Sequence, residues 1–308
     1  MTDGASATQV AVMGRLCADL YPEQLNTPLA EVETYRRFVG GFAGNVATGL
    51  ARLGVGCTIV SAVGDDGHGE YVRSYLEREG VDCSRLGTHP TLRTALAFCE
   101  AWPPDRFPIT FYRTPTCPDW ELRVADLDLE ALAGLPLALV TGTGLAREPS
   151  RTATLALVRA RAASGARTIF DADWRSQLWE APEEYPVVAG IAAASASIVV
   201  GGDSELAAAG LDAQSAEVVV IKHGPDGVTV YQHGEPTRIP PMPVAVVNGL
   251  GAGDAFLAAF SAALLEGLDP VAAARRGGAA GALVATRLAC SDAMPTRSEL
   301  EEFLGAHA

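Results

Sequence analysis

The sequence contains Val247-Asn248-Gly249-Leu250-Gly251-Ala252-Gly253-Asp254-Ala255-Phe256, in which three glycines lead into an aspartate. The apolar, β-favouring residues 244–247 open this run, and an Ala/Leu-rich helical pattern over residues 255–265 closes it. The pattern predicts a strand-to-helix turn with the glycines at the helix N-terminus. Free N–H groups and the helix dipole bind anions at such a place, and glycines let a phosphate approach the backbone.

Asp254 indicates which phosphate chemistry this turn serves. A dinucleotide fingerprint G-x-G-x-x-G would place its third glycine at this position, and a carboxylate there would repel a bound pyrophosphate. Beside a phosphoryl group in transfer, the same carboxylate can accept the proton of the attacking hydroxyl. The alternative is an ordinary acidic residue at a helix start, which the dipole also favours. Because the glycines directly precede it, we interpret Asp254 as catalytic.

Lys222 is the only lysine among the 23 basic residues of the chain. It ends a predicted strand and is followed by a turn that contains Gly224 and Gly227. A bias toward arginine that left one lysine by chance is one explanation. A compact ammonium placed near nucleotide phosphates is the other, and the position before a glycine-rich turn favours it. We therefore take Lys222, Gly224 and Gly227 as candidate nucleotide contacts.

Composition limits the class of protein. The chain has 308 residues, of which 48% are apolar, and a net charge of −14. This suits one large α/β domain over residues 1–308 and excludes general affinity for nucleic acid or anionic membranes. Six cysteines are scattered without a C-x-x-C pair, so we expect reduced thiols, a cytoplasmic location and no zinc site. No signal peptide and no membrane-spanning segment are predicted.

Strand patterns alternate with helical patterns along most of the chain. We predict strands at residues 9–14, 57–63, 95–100, 109–113, 137–141, 168–171, 198–201, 218–222 and 228–231, and helices at residues 45–53, 67–79, 151–164, 182–194 and 255–266. The alternation predicts a mainly parallel sheet with helices on both faces and ligands at the strand ends. Residues 15–41 and 92–118 do not fit the alternation and are irregular or β-like.

Two motifs carry a family resemblance. Gly40-Gly41-Phe42-Ala43-Gly44-Asn45 stands near the N-terminus and Gly251-Ala252-Gly253-Asp254 near the C-terminus. In this order and spacing they resemble the ribokinase-like family of carbohydrate kinases. The resemblance implies a ribokinase-like α/β fold, in which residues 15–41 and 92–118 form a small β-sheet lid over the sugar. A lid has a physical purpose here, because it keeps water from an activated phosphate.

The resemblance also implies roles for individual residues. Asp19 would hold substrate hydroxyls, and Gly41 and Asn45 would line the sugar pocket. An anion hole would form from Gly251, Ala252 and Gly253, with Asp254 as the base.

The implied cofactors are ATP and Mg²⁺, with a monovalent cation such as K⁺ as a further one. Asn248 and Gly278 are expected beside the nucleotide, and Glu205 is expected to help organise Mg²⁺ and phosphate. Three positions depart from the family pattern, because Asn248 stands where Asp is frequent and Gly202 and Gly278 each stand in place of an Asn. These departures concern metal and adenine contacts rather than phosphoryl transfer.

Further segments, including residues 19–24, 103–113 and 287–296, resemble the branch of this family that phosphorylates the terminal hydroxyl of 5-dehydro-2-deoxygluconate in inositol breakdown. An acidic substrate follows from this resemblance. Arg175 would face its acid end, although a structural salt bridge is an equally open interpretation. Arg15 and Arg113 also stand near predicted strand ends or the lid and are candidates for the same acid end.

Two alternatives remain open at this point. One is a kinase for another sugar or sugar acid, such as 2-keto-3-deoxygluconate, fructose or ribose. The other is a catalytically silent sugar-binding sensor on the same fold. We also expect a homodimer, formed partly through the lid sheet, because exposed β edges tend to be covered.

Overall fold

The computed structural model describes residues 7–307, whose strands form two separate sheets. The strands are β1 (Val10–Met13), β2 (Cys17–Pro22), β3 (Tyr35–Gly40), β4 (Cys57–Gly64), β5 (Leu86–His89), β6 (Leu96–Cys99), β7 (Ile109–Tyr112), β8 (Leu137–Thr141), β9 (Arg167–Asp171), β10 (Ile198–Gly202), β11 (Val218–Lys222), β12 (Val228–Gln232) and β13 (Glu235–Ile239). The helices are α1 (Phe42–Arg52), α2 (Gly67–Arg78), α3 (Leu129–Ala133), α4 (Ser150–Ala163), α5 (Tyr185–Ala193), α6 (Asp203–Ala209), α7 (Ala252–Leu265), α8 (Pro270–Ala285) and α9 (Arg297–Ala306).

The larger sheet has the strand order β13-β12-β11-β10-β9-β8-β1-β4-β5. Pairing is parallel from β5 to β11, and β12 and β13 add antiparallel at one edge. Apolar side chains pack on both faces and form two cores, one of which includes α1, α7 and α8 and the other α4 and α5. The predicted parallel sheet with helices on both faces is therefore confirmed, and the carboxyl ends of its strands share one edge.

The smaller sheet has the order β3-β2-β6-β7 and comes from the two segments that did not fit the alternation. β2 pairs antiparallel with β3 and parallel with β6, and β6 pairs antiparallel with β7. The second, smaller sheet expected from residues 15–41 and 92–118 is thus confirmed. Its β3 is tied to the body by the Ser291 hydroxyl, which donates to the Val39 carbonyl over 2.6 Å.

Several elements differ from the sequence prediction. Residues 244–247 are not a strand, because they leave the sheet after β13 and only the Val247 N–H reaches the Ala285 carbonyl at 2.8 Å. β13 contains Pro236, which weakened its strand signal but is tolerated at a sheet edge. α8 was missed because it carries glycines, yet Gly277 is required there since a Cβ would lie 2.8 Å from the Phe256 ring on α7.

Among residues 7–307, every helix falls short of a membrane span in its length or in its apolar character.

Candidate active site

The glycine run forms an anion-binding turn at the start of α7. Gly251 has φ +83°, and a side chain there would also meet Cys290 at about 3 Å, so glycine is required on two grounds. No side chain caps the helix, and within residues 7–307 no protein group accepts a hydrogen bond from the N–H groups of Gly253 and Asp254. These free N–H groups and the positive end of the helix dipole lie together at the N-terminus of α7, and such a helix end binds phosphate.

Lys222 lies at this turn. It ends β11, and its Nζ is 3.4 Å from where a Cβ on Gly253 would be. The Asp171 carboxylate, at the end of β9, accepts a hydrogen bond from Nζ over 3.0 Å. Burial opposes the charged form, but Asp171 and Glu205 hold the pKa of Lys222 above its ordinary value. The ammonium therefore stays charged beside the uncapped helix end.

Asp254 occupies the first turn of α7 and faces α1. The Nδ2 of Asn45 on α1 donates to its Oδ2 over 2.7 Å. Burial raises the pKa of Asp254 to about 6, the Asn45 hydrogen bond and the Arg15 and Lys222 charges lower it, and the Asp173 charge raises it. The carboxylate is therefore ionised at neutral pH and basic enough to take a proton.

Asp173 lies just past β9 at φ +32°, where its carboxylate collects donors from several elements. Oδ2 accepts from the hydroxyls of Thr141 and Thr143 over 2.9 and 2.8 Å, and Oδ1 lies 3.1 Å from Arg175 Nη2. Burial alone would raise its pKa, but Arg175, Arg15 and the two hydroxyls hold the pKa of Asp173 below its usual value. A buried anion fixed in this way anchors the arginines around the site.

A cavity lies between this edge of the sheet and the lid. Its walls include Arg15, Cys17, Asp19, Tyr21, Gly41, Asn45, Phe111, Arg175, Gly251, Asp254 and Cys290. Asp19 enters from β2, and its carboxyl fits because residue 40 is glycine, whose Cβ would lie 2.0 Å from it. Burial raises the pKa of Asp19 to about 6, and the Cys17 thiol donates to its Oδ1 over 3.0 Å. The cavity thus places hydrogen-bonding carboxylates at a polar pocket beside the anion-binding turn.

The structure brings most candidate residues of the sugar side and the turn together, but not Arg113. That side chain is 2% exposed, pairs with Asp119 over 2.6 Å and lies 4.5 Å from the Trp120 ring centroid. The substrate-contact prediction for Arg113 is therefore corrected. It follows β7 into a buried turn, where Asp119 neutralises its charge behind the cavity wall.

Asn248 also departs from its expected place beside the nucleotide. It is fully buried, its Nδ2 donates to the Leu288 carbonyl over 2.6 Å, and its Oδ1 accepts from the Leu250 N–H over 3.1 Å. Both polar ends are used inside the protein, so Asn248 holds the glycine turn in shape and does not face a ligand.

The other nucleotide and metal candidates lie in the turn after β11, on α8 and on α6. Gly224 and Gly227 both have positive φ in the turn after β11, and a side chain on Gly227 would meet the Ile239 carbonyl at 2.3 Å. Gly278 on α8 faces open space. Glu205 accepts from the Gly202 N–H over 2.8 Å and from Arg175 over 2.9 Å. Its carboxylate is thus already shared between a helix start and an arginine.

Sequence reasoning missed the thiols of the cavity. Tyr21 OH and Cys290 Sγ lie 2.5 Å apart although 269 residues separate them, so no local pattern could have shown this contact. All six cysteines are free and buried. Burial raises the pKa of Cys17 and Cys290 well above the ordinary thiol value, so both are neutral wall residues rather than nucleophiles.

Comparison with known proteins identifies the family. A family model described as pfkB family carbohydrate kinase matches residues 7–297. The chain is 32% identical to a 5-dehydro-2-deoxygluconokinase of Clostridium tetani over 98% of this chain and 94% of that protein. It is 32% identical to a 5-dehydro-2-deoxygluconokinase of Bacillus subtilis over 98% and 97%. The crystal structure of an uncharacterized sugar kinase from Pyrococcus horikoshii in complex with ATP matches with a TM-score of 0.86 at 25% identity, covering 97% of this chain and 99% of that one. The chain therefore belongs to the pfkB family of carbohydrate kinases.

Proposed function

We propose that this kinase transfers the γ-phosphoryl group of ATP to the terminal hydroxyl of 5-dehydro-2-deoxy-D-gluconate. The observation that carries the proposal is the Asp254 carboxylate, which lies in the wall of the sugar cavity and in the first turn of the uncapped helix α7. The substrate is supported by the names of the relatives, which share about a third of their residues with this chain over nearly its full length.

The reaction follows from the position of each group. The substrate hydroxyl oxygen attacks the γ-phosphorus, the bond from phosphorus to the ADP oxygen breaks, and the hydroxyl proton passes to Asp254. Asn45 holds Asp254 toward the cavity over 2.7 Å. The N–H groups of Gly251, Gly253 and Asp254, which have no acceptor among residues 7–307, and the Lys222 ammonium stabilise the negative charge of the transferring group, whereas the Ala252 N–H reaches the Gly249 carbonyl at 3.4 Å.

The residues at the site fit ATP as its Mg²⁺ complex. Free N–H groups and Lys222 suit the phosphates, and the open face of Gly278 and the turn at Gly224 and Gly227 leave room for the rest of the nucleotide. Residues 7–307 contain no group of three or more His, Cys, Asp or Glu side chains that could hold a metal ion. Mg²⁺ would therefore be held mainly by phosphate oxygens and water, with Glu205 or Asp171 nearby, and when bound it neutralises phosphate charge.

A monovalent cation such as K⁺ fits less well beside the glycine turn. Such an ion needs several free oxygen ligands. The Ala285 carbonyl there already accepts the N–H groups of Val247 and Asn248, and the Leu288 carbonyl accepts the Asn248 amide. No step of the reaction is assigned to a monovalent cation.

We also propose a homodimer and a cytoplasmic location. The outer face of the lid carries Tyr35, Phe98 and Tyr112 in edge contact, and Tyr112 is 59% exposed. We propose that a second copy of the chain covers this face in a homodimer. Use of ATP and the six free thiols suit the cytoplasm.

The alternatives are kinases for 2-keto-3-deoxygluconate, fructose or ribose, and a sensor that binds sugar without turnover. Steady-state ATP turnover with these sugars and with 5-dehydro-2-deoxygluconate separates them, and ³¹P NMR of the product locates the phosphate. The proposal expects the highest kcat/KM for 5-dehydro-2-deoxygluconate with a terminal phosphate ester. A higher value for fructose or ribose would reject the substrate, and no turnover with any sugar would favour the sensor.

A further inference from the structure

Arg15 is a buried cation with an unused donor in the wall of the sugar cavity. It follows β1, its side chain is 10% exposed, and its Nη2 lies 3.5 Å from Asp173 Oδ2. From the lid side, the Phe111 ring centroid lies 5.3 Å from its Cζ. Its Nε is buried and has no hydrogen-bond partner among residues 7–307. A buried guanidinium without a full set of acceptors is costly unless a ligand completes it.

The other arginine of this wall, Arg175, has protein partners for both of its terminal nitrogens. Its Nη1 donates to the Trp174 carbonyl over 2.8 Å and to Glu205 over 2.9 Å, and its Nη2 lies 3.1 Å from Asp173. It is the more exposed of the two side chains, at 35%. Arg113 is buried behind the cavity wall, where it forms an ion pair with Asp119. Among the arginines that the sequence offered for an acid end, only Arg15 combines a place in the wall with a buried donor that no group among residues 7–307 accepts.

The charges in the cavity restrict where a ligand carboxylate can lie. Asp19 and Asp254 occupy the same wall, and Asp173 lies beside Arg15. A carboxylate placed against Asp19 or Asp254 would be repelled, and Asp254 must also face the hydroxyl that reacts. Arg15 offers positive charge and an unused N–H in the same wall, and a guanidinium matches a carboxylate in shape.

We propose that Arg15 is the specificity-determining residue of this site, which binds the substrate carboxylate and selects sugar acids over neutral sugars. The proposal rests on the proposed function, because it requires a substrate with an acid end. Phe111 lies over the guanidinium, so closure of the lid on the substrate would also exclude water from this ion pair.

Two variants and a matched control test the proposal. Arg15→Gln removes the charge and keeps a polar side chain, Arg15→Lys keeps the charge and loses the planar fork, and Arg175→Gln is the control at the other arginine. Calorimetry measures binding of 5-dehydro-2-deoxygluconate and of its neutral C1 amide to the full-length protein. Steady-state kinetics with ATP then gives kcat and KM for both compounds.

We expect Arg15→Gln to weaken binding of the acid and raise its KM by about 10- to 100-fold, the range for a lost charged hydrogen bond. Binding of the amide should change by less than about 3-fold, since no ionic contact is lost. Arg15→Lys should give an intermediate loss for the acid. Arg175→Gln should affect acid and amide alike.

Equal losses for the acid and the amide in Arg15→Gln would show a structural role and overturn the proposal. Unchanged affinity for the acid, or a selective loss in Arg175→Gln instead, would also overturn it. If thermal unfolding shows that Arg15→Gln does not fold, Arg15→Lys is used instead. An affinity of Arg15→Lys for the acid equal to that of the wild type would reject the contact between the planar guanidinium and the carboxylate. Faster turnover of fructose or ribose by the wild type would instead show that the proposed function is wrong, and this measurement does not involve the Arg15 variants.

Discussion

At the scale of single residues, the chemistry depends on the ionisation of one carboxyl. Burial raises the pKa of Asp254 to about 6. Because the base must be deprotonated, kcat/KM should rise with pH up to about 6 and level off above it, falling about tenfold per pH unit on the acid side. A pH profile of kcat/KM for the wild type between about pH 4.5 and 8 checks this prediction. A flat profile across this range would contradict the role of Asp254.

Asn45 lowers the pKa of the Asp254 carboxyl. Its hydrogen bond to Asp254 favours the ionised form, so Asn45→Leu should raise the pKa of Asp254 and move the acid limb of the profile to higher pH. Thr48→Val is the matched control, since Thr48 is buried on the same helix and bonds only the Gly44 carbonyl. An unmoved limb in Asn45→Leu, or an equal movement in Thr48→Val, would rule out this tuning.

At the scale of elements, the start of α7 must leave its N–H groups free. Gly251→Ala should cost about 1–2 kcal/mol of stability because a side chain is strained at positive φ, and it should lower kcat strongly because the turn shifts away from Cys290. Gly54→Ala is the control, with φ +79° and open space around the added Cβ. It should lose similar stability and keep its activity. Equal kcat values for the two variants would contradict the anion-binding role of the turn.

The lid is the element expected to move. Two segments, residues 15–41 and 92–118, build it, and Phe111 and Asp19 project from it into the cavity. Bound substrate joins the lid to the body, so we expect amide hydrogens of both segments to exchange more slowly when ATP and substrate are present. Hydrogen exchange followed by mass spectrometry measures this. Identical exchange in the free and bound protein would indicate a fixed wall.

At the scale of the whole molecule, the outer lid face leads to a prediction about assembly. Tyr112 is 59% exposed beside Phe98, and a second copy of the chain would bury both. Light scattering should give twice the mass of the 32.0 kDa chain. Tyr112→Arg, which places a charge in the contact, should give a monomer, whereas Val187→Arg at another exposed apolar position should not. A monomeric wild type would reject the dimer.

The sequence predicted the larger sheet well because its strands, such as β8 and β11, are short apolar runs between turn residues. The glycine turn and Asp254 could also be predicted from the sequence, since their roles need particular residues in consecutive positions. The roles of Arg113 and Asn248 could not be predicted in this way. Each is decided by a partner elsewhere, Asp119 in a buried turn and the Leu288 carbonyl 40 residues away. The free donor of Arg15 depends in the same way on what surrounds it in three dimensions.

The most direct test of the account is the turnover of Asp254→Asn with ATP and 5-dehydro-2-deoxygluconate. The variant keeps the shape of the side chain and the hydrogen bonding of Asn45 but cannot accept a proton. We predict a fall in kcat of about 10²- to 10⁴-fold, with the Kd for ATP changed little. A kcat near that of the wild type, with folding intact by thermal unfolding, would contradict the claim that Asp254 is the base of a phosphoryl transfer.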